Sequence, residues 1–145
     1  MSLSSNAAVA LLGPNLASHP DKVAIIAGEN TVTYRRLDEL SSRFGSLLRS
    51  SGIQPADRVV LVAGDSPGYF YALLGCLKAG AVAVLLNPGL SAKDYQFIFH
   101  DSGASALVSE TTLAEALQAS SVCSLPAMLL DSPEFSAALA ASSAD

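Results

Sequence analysis

The chain has no tryptophan, two cysteines, two histidines and only eight lysines and arginines in 145 residues. Each shortage excludes something. Cys76 and Cys123 have no Cys or His neighbour at metal-ligand spacing, and His19 and His100 stand alone, so no zinc-type site is readable. Two isolated thiols fit buried cysteines in a reducing compartment, and a cytoplasmic location is expected. The basic residues are scattered singly, apart from Arg35-Arg36, against a net charge of −5. Without a basic stripe nothing neutralises a phosphate backbone, so no nucleic-acid partner is expected. No basic amphipathic segment points to a membrane surface either. No Lys or Arg precedes Lys22, and the apolar run over residues 7–12 is short, which argues against a secretory signal. The longest apolar run, residues 69–86, contains Gly75, Lys78 and Gly80. Lys78 would cost about 2.5–3.5 kcal/mol at the centre of a bilayer. Ala79-Gly80 reads instead as a helix end before a buried strand, so no membrane span is expected.

Half of the residues are hydrophobic and 14% are charged, a composition that builds a core. One grammar repeats along the chain: an amphipathic segment ends in Gly and an apolar strand follows. Leu37, Leu40, Phe44, Leu47 and Leu48 fall at helical spacing between a capping Thr33 and a C-terminal Gly52-Ile53, and residues 58–63 form the next strand. A second helix over residues 67–79 stops at Gly80 before an entirely apolar strand, residues 81–86. A third starts at Ser91 with Asp94 three positions on, a capping box with a Leu90–Tyr95 staple. It ends at Gly103 before a strand over residues 104–109. A weaker fourth unit opens with Thr112-x-x-Glu115 and has a strand over residues 127–130. Ser132-Pro133-Glu134 reads as cap, first position and first-turn acid of a last helix.

Helices alternating with fully apolar strands predict an α/β fold in three layers, a mostly parallel sheet flanked by helices. The N-terminal part reads differently: a helix broken around Gly13-Pro14, then two short strands joined by Gly28-Glu29-Asn30 as a hairpin. Residues 1–136 read as one partial domain and residues 137–145, small and polar, as a linker-like tail.

Gly64-Asp65-Ser66-Pro67-Gly68 matches G-x-S-x-G between a strand and a helix, the layout of a hydrolase nucleophile elbow. An elbow needs the backbone N–H after the nucleophile for its oxyanion hole, and Pro67 has none. Asp65 or Ser66 serves better as the helix cap, with Pro67 in the first turn. There is no G-x-G-x-x-G and no phosphate loop ending in Gly-Lys-Ser/Thr. Lys78 reads as a solvated or snorkelling side chain. Asp38-Glu39, Asp94 and Asp101 read as exposed helix faces and caps, and His100 as a cation at a helix C-terminus.

The order of segments resembles the early region of adenylate-forming enzymes, the acyl- and aryl-CoA synthetases and peptide-synthetase adenylation domains. The residues that carry this are Thr33-Tyr34, Leu37, Leu40, Gly52 and Asp57-Arg58-Val59, then Leu77-Lys78-Ala79-Gly80-Ala81 through Asn87-Pro88, then residues 101–110. Residues 6–26 are most similar to the benzoate-CoA ligase branch. Leu85 departs from a Pro common in the family. The resemblance implies an ATP-dependent ligase that joins a small carboxylic acid to AMP and passes the acyl group to CoA, with ATP, Mg²⁺ and CoA as cofactors. The family's phosphate loop, ribose-binding Asp and C-terminal catalytic Lys have no counterpart in these residues. The resemblance therefore implies a piece of such a ligase, inactive alone, with no catalytic or metal residue of its own and the remainder of the ligase as its partner. It also implies that Asn87, Pro88, Gly89, Ser109, Glu110 and Thr111 lie at the CoA entrance. No Arg stands between Ser109 and Asp145, so a cation for the CoA 3′-phosphate would have to come from elsewhere. The alternative is a standalone non-catalytic binding or complementation module; a truncated subdomain would expose apolar surface that its other subdomain normally covers, through which the chain could self-associate.

Overall fold

The computed structural model describes residues 6–144; residues 1–5 and Asp145 lie outside the described residues. The first helix, α1 (Ala7–Ser18), is capped by Asn6, whose side chain accepts the Ala8 N–H. It was expected to break at Gly13-Pro14 but runs straight through. Pro14 and Ala10, whose carbonyl Pro14 cannot bond, are both exposed, so the lost hydrogen bond faces water. The Asn6 amide also donates to the Leu77 carbonyl at 2.6 Å and ties α1 to the neighbouring helix. β1 (Val23–Ala27) and β2 (Asn30–Thr33) form the expected antiparallel hairpin, with one irregularity between Val23 and Ile25.

α2 (Tyr34–Ser50) starts at Thr33, whose Oγ1 accepts the Arg36 N–H at 3.2 Å. β3 (Arg58–Val62), α3 (Pro67–Ala79), β4 (Val82–Leu85), α4 (Ala92–Ser102), β5 (Ala106–Ser109), α5 (Thr111–Ala119), β6 (Ala127–Leu129) and α6 (Pro133–Ala141) follow. The Gly80 stop works through its backbone: φ is +79°, and the Gly80 and Ala81 N–H groups close onto Leu77 and Cys76 at 3.0 Å. α6 extends further than the polar tail predicted. Residues 137–141 continue the helix because Leu139 is buried, and Arg43 Nη1 donates to the Ala140 and Ser142 carbonyls at 2.7 and 2.6 Å.

The strands form a four-stranded, wholly parallel sheet in the order β4-β3-β5-β6. Alternation along each strand divides the core in two. Val59, Leu61, Ala106 and Val108 pack with Phe44, Leu48, Ala72, Cys76, Phe135 and Leu139 from α2, α3 and α6. Val60, Val62 and Leu107 pack with Tyr95 and Phe99 of α4 and Ala114 and Leu117 of α5. The result is the expected three-layer α/β architecture. α2 and α3 approach so closely that a Cβ on Gly75 would lie 2.7 Å from the Phe44 ring and 2.8 Å from the Ser41 carbonyl.

Candidate functional site

All four sheet strands are parallel, so their carboxyl ends share one edge. β3 connects through α3 to β4 on one side, and β5 through α5 to β6 on the other. α3 and α5 also cover opposite faces of the sheet. The chain therefore changes direction between β3 and β5, and open α/β sheets offer their ligand crevice at such a point. Gly64–Ser66 and Ser109–Thr111 bound this crevice, and Asn87–Gly89 borders it beyond β4.

Several of the bordering residues have a local occupation. Ser66 is the N-cap of α3, its Oγ accepting the Tyr69 N–H at 3.3 Å, with Pro67 in the first turn. Of the two caps expected, Asp65 or Ser66, it is Ser66 that serves. Asn87 Oδ1 accepts the Gly89 N–H at 2.7 Å, which closes the turn through Pro88. The Asn87 carbonyl accepts the Tyr95 hydroxyl at 2.7 Å and is thus clamped to α4, and burial raises the Tyr95 phenol above its ordinary pKa. A cavity of about 300 Å³ opens beside this turn, lined by Ala63, Asp65, Tyr69, Leu85, Leu86, Asn87 and Pro88.

Across the crevice, the Glu110 carboxylate lies over Gly64, 3.4 Å from where a Cβ would stand. Thr111 is held by Asp131: its N–H and its hydroxyl each donate to Asp131 Oδ1 at 2.8 Å. These bonds hold the Asp131 carboxyl below the usual carboxylate range. Asp131 therefore serves α5 as the cap that Thr112-x-x-Glu115 was expected to provide; the N-cap position falls two residues earlier, at Glu110, which makes no side-chain cap bond. Ser109 Oγ is fully buried with no hydrogen-bond partner, the single such side-chain atom among the described residues.

The chemistry of this rim is acidic. Asp65, Glu110 and Asp131 carry its charge, and no Lys or Arg lines the cavity. The Thr111 donors are already committed. The phosphates of ATP or CoA do not fit these side chains as ligands. Among the described residues no group of three or more His, Cys, Asp or Glu could hold a metal ion. Burial pushes the Cys76 thiol up to about 12, which removes it as a nucleophile at neutral pH. Lys78, read as solvated, is instead tethered: its Nζ donates to the Asp38 carboxylate at 2.5 Å, the Asp38 carbonyl at 3.0 Å and Ser42 Oγ at 2.9 Å, and its side chain is 12% exposed. Asp38 and Glu39 are correspondingly not a free acidic face; Glu39 pairs with Arg36 and Arg43. No described helix is long and apolar enough to cross a membrane.

Fold and crevice together define a doubly wound α/β domain with an open crevice at the carboxyl edge of the sheet. The chain belongs to the AMP-binding enzyme family, whose model matches residues 14–144. It is 40% identical over 100 residues to a 3-hydroxybenzoate--CoA/4-hydroxybenzoate--CoA ligase of Thauera aromatica, covering 68% of this chain and 19% of that protein. It is 34% identical over 114 residues to the 3-hydroxybenzoate--CoA ligase of Aromatoleum sp. (strain CIB), covering 78% of this chain and 22% of that one. The fold superposes on a benzoate CoA ligase from Burkholderia xenovorans LB400 with a TM-score of 0.81 and 31% identity, over 94% of this chain and 28% of that chain. The chain thus spans about a fifth of the length of the two ligases it matches in sequence.

Proposed function

We propose that this chain is the early, non-catalytic portion of an AMP-forming aryl-CoA ligase, and that the whole ligase converts a small aromatic carboxylate and ATP to an acyl adenylate and then to an acyl-CoA. The match of the AMP-binding enzyme model over residues 14–144, together with the similarity to hydroxybenzoate-CoA ligases, carries this reading. The acidic rim limits what the chain contributes. With no cation in the cavity lining and no metal cluster among the described residues, ATP, Mg²⁺ and the phosphates of CoA find their contacts on the remainder of the ligase. Asn87, Pro88 and Gly89 shape the CoA entrance through the turn they build, and Ser109, Glu110 and Thr111 through the junction of β5 with α5.

Two measurements test the reading. The purified 145-residue chain, given ATP, Mg²⁺, CoA and benzoate or a hydroxybenzoate, is expected to release no pyrophosphate; a burst would overturn the assignment of the chemistry to the remainder. Residues 6–144 grafted in place of the matching segment of the Burkholderia benzoate CoA ligase are expected to support acyl-CoA formation. A folded but inactive graft would overturn the ligase reading.

A further inference from the structure

The amino ends of the parallel strands share the edge opposite the crevice. There Asp57 leads into β3, Ser105 into β5 and Pro126 into β6, and residues 51–53, just past α2, stand beside them. A cavity of about 450 Å³ opens among these residues, larger than the one of about 300 Å³ beside Asn87. Ile53, Ala106, Pro126, Ala127 and Met128 give it apolar walls, and Ser51, Asp57 and Ser105 supply its polar side chains. Among the described residues Ser51 Oγ, Ser105 Oγ and Asp57 Oδ1 have no hydrogen-bond partner. The Asp57 carboxylate is nevertheless held. Its Oδ2 accepts the Gln54 N–H at 2.8 Å, and the Asp57 N–H donates to the Gln54 carbonyl at 3.0 Å. Between them Ala56 takes φ +71°, a left-handed conformation costly for a residue with a Cβ, and its N–H is tied to the Gly80 carbonyl at 2.8 Å. The turn therefore fixes the carboxylate and leaves Oδ1 unused. The local field is negative. Asp57 carries the one charge of the lining, and the cavity lies at the C-terminal end of the 17-residue α2. Arg49, in the last turn of α2, bonds instead to Ser46 Oγ at 3.0 Å.

We propose that this cavity binds a small organic ammonium ion, a protonated amine on an apolar body about the size of one aromatic ring. An ammonium group has three N–H donors and no acceptor, and Asp57 Oδ1 and the Ser51 and Ser105 hydroxyls offer it three acceptors. The apolar body lies against Ile53 and Met128, whose thioether suits a ring edge. Size is sufficient, since an enclosed cavity of about 150 Å³ already holds benzene. The lining opposes a carboxylate, because Asp57 is a like charge with no Lys or Arg beside it. The ligand is therefore not the aromatic acid of the ligase reaction. The site consists of residues of this chain alone and stands across the sheet from the crevice, so an amine bound there displaces neither acid nor CoA.

The test is a titration of the 145-residue chain, followed by the NMR shifts of its backbone amides, with benzylamine, benzyl alcohol and benzoate at neutral pH. The three share one ring and are positive, neutral and negative. Benzylamine is expected to shift the Gly52, Asp57, Ser105 and Ala127 amides to saturation and to bind about tenfold more tightly than benzyl alcohol, while benzoate leaves those amides unmoved. Asp57→Asn, which still has an oxygen to accept the Gln54 N–H, is expected to lower benzylamine to the affinity of benzyl alcohol. Equal affinity for amine and alcohol in the unaltered chain overturns the proposal, as do shifts that never saturate or that gather at Gly64, Asn87 and Glu110 instead. Undiminished benzylamine binding by a folded Asp57→Asn chain overturns it too. The charge series in the unaltered chain decides the matter even where that variant fails to fold.

Discussion

Ser66 Oγ accepts the Tyr69 N–H at 3.3 Å, and that bond assigns the hydroxyl's work. The Pro67 ring fills the first helical position, where an N–H would be unpaired anyway. Ser66→Ala is expected to lower stability by about 1 kcal/mol in urea unfolding, and Ser66→Asp to retain most of it, because Asp caps as well as Ser. A fluorophosphonate probe is expected to leave Ser66 unlabelled; labelling would revive the nucleophile. Caps of this kind were legible because donor and acceptor stand within one helical turn, as at Thr33, Ser91 and Ser132. The misreading of Lys78 has the opposite cause. Its carboxylate partner Asp38 lies 40 positions away on α2, and only the close α2–α3 approach, made through Gly75, brings the two together. A separation of 20 positions likewise hid Asp131 from Thr111.

At the scale of elements, the strands and helices were legible because apolar periodicity and Gly stops are local signals. The order β4-β3-β5-β6 was not, because which strand neighbours which is decided by packing across the whole sheet. That order makes the crevice between β3 and β5, and with it the pairing of Asp131 with the start of α5. A carboxylate there satisfies the Thr111 N–H and faces the positive end of the helix. The folded-state pKa of Asp131 is depressed, so its contribution is present above the ordinary carboxylate value of about 4 and is lost as pH falls through the lowered one. Asp131→Ala is therefore expected to unfold at a lower urea concentration than wild type at about pH 6, with the two midpoints converging towards about pH 2. A constant difference across that range would mean that Asp131 acts by packing and not by charge.

At the scale of the whole molecule, the question is where the packed unit ends. Composition marked residues 137–145 as tail, since Ala and Ser dominate there. The helix nevertheless continues to Ala141, because one large apolar residue, Leu139, is 6% exposed against the α2–α3 cluster. Phe135 stands 5.9 Å from the Phe44 ring, and Arg43 clamps the last carbonyls of α6. We therefore expect a chain ending at residue 136 to be less stable than the 145-residue chain by about 2–4 kcal/mol, the cost of removing a buried leucine. A chain ending at Ser143 is expected to match the full one within about 0.5 kcal/mol, since it keeps Leu139 and both Arg43 acceptors. Equal stability of the 136-residue chain would return the boundary to the start of the polar stretch. A large loss would mean that α6 belongs to the fold, and that Arg43, pinned between Glu39 and the end of α6, sets the direction in which the backbone leaves the domain.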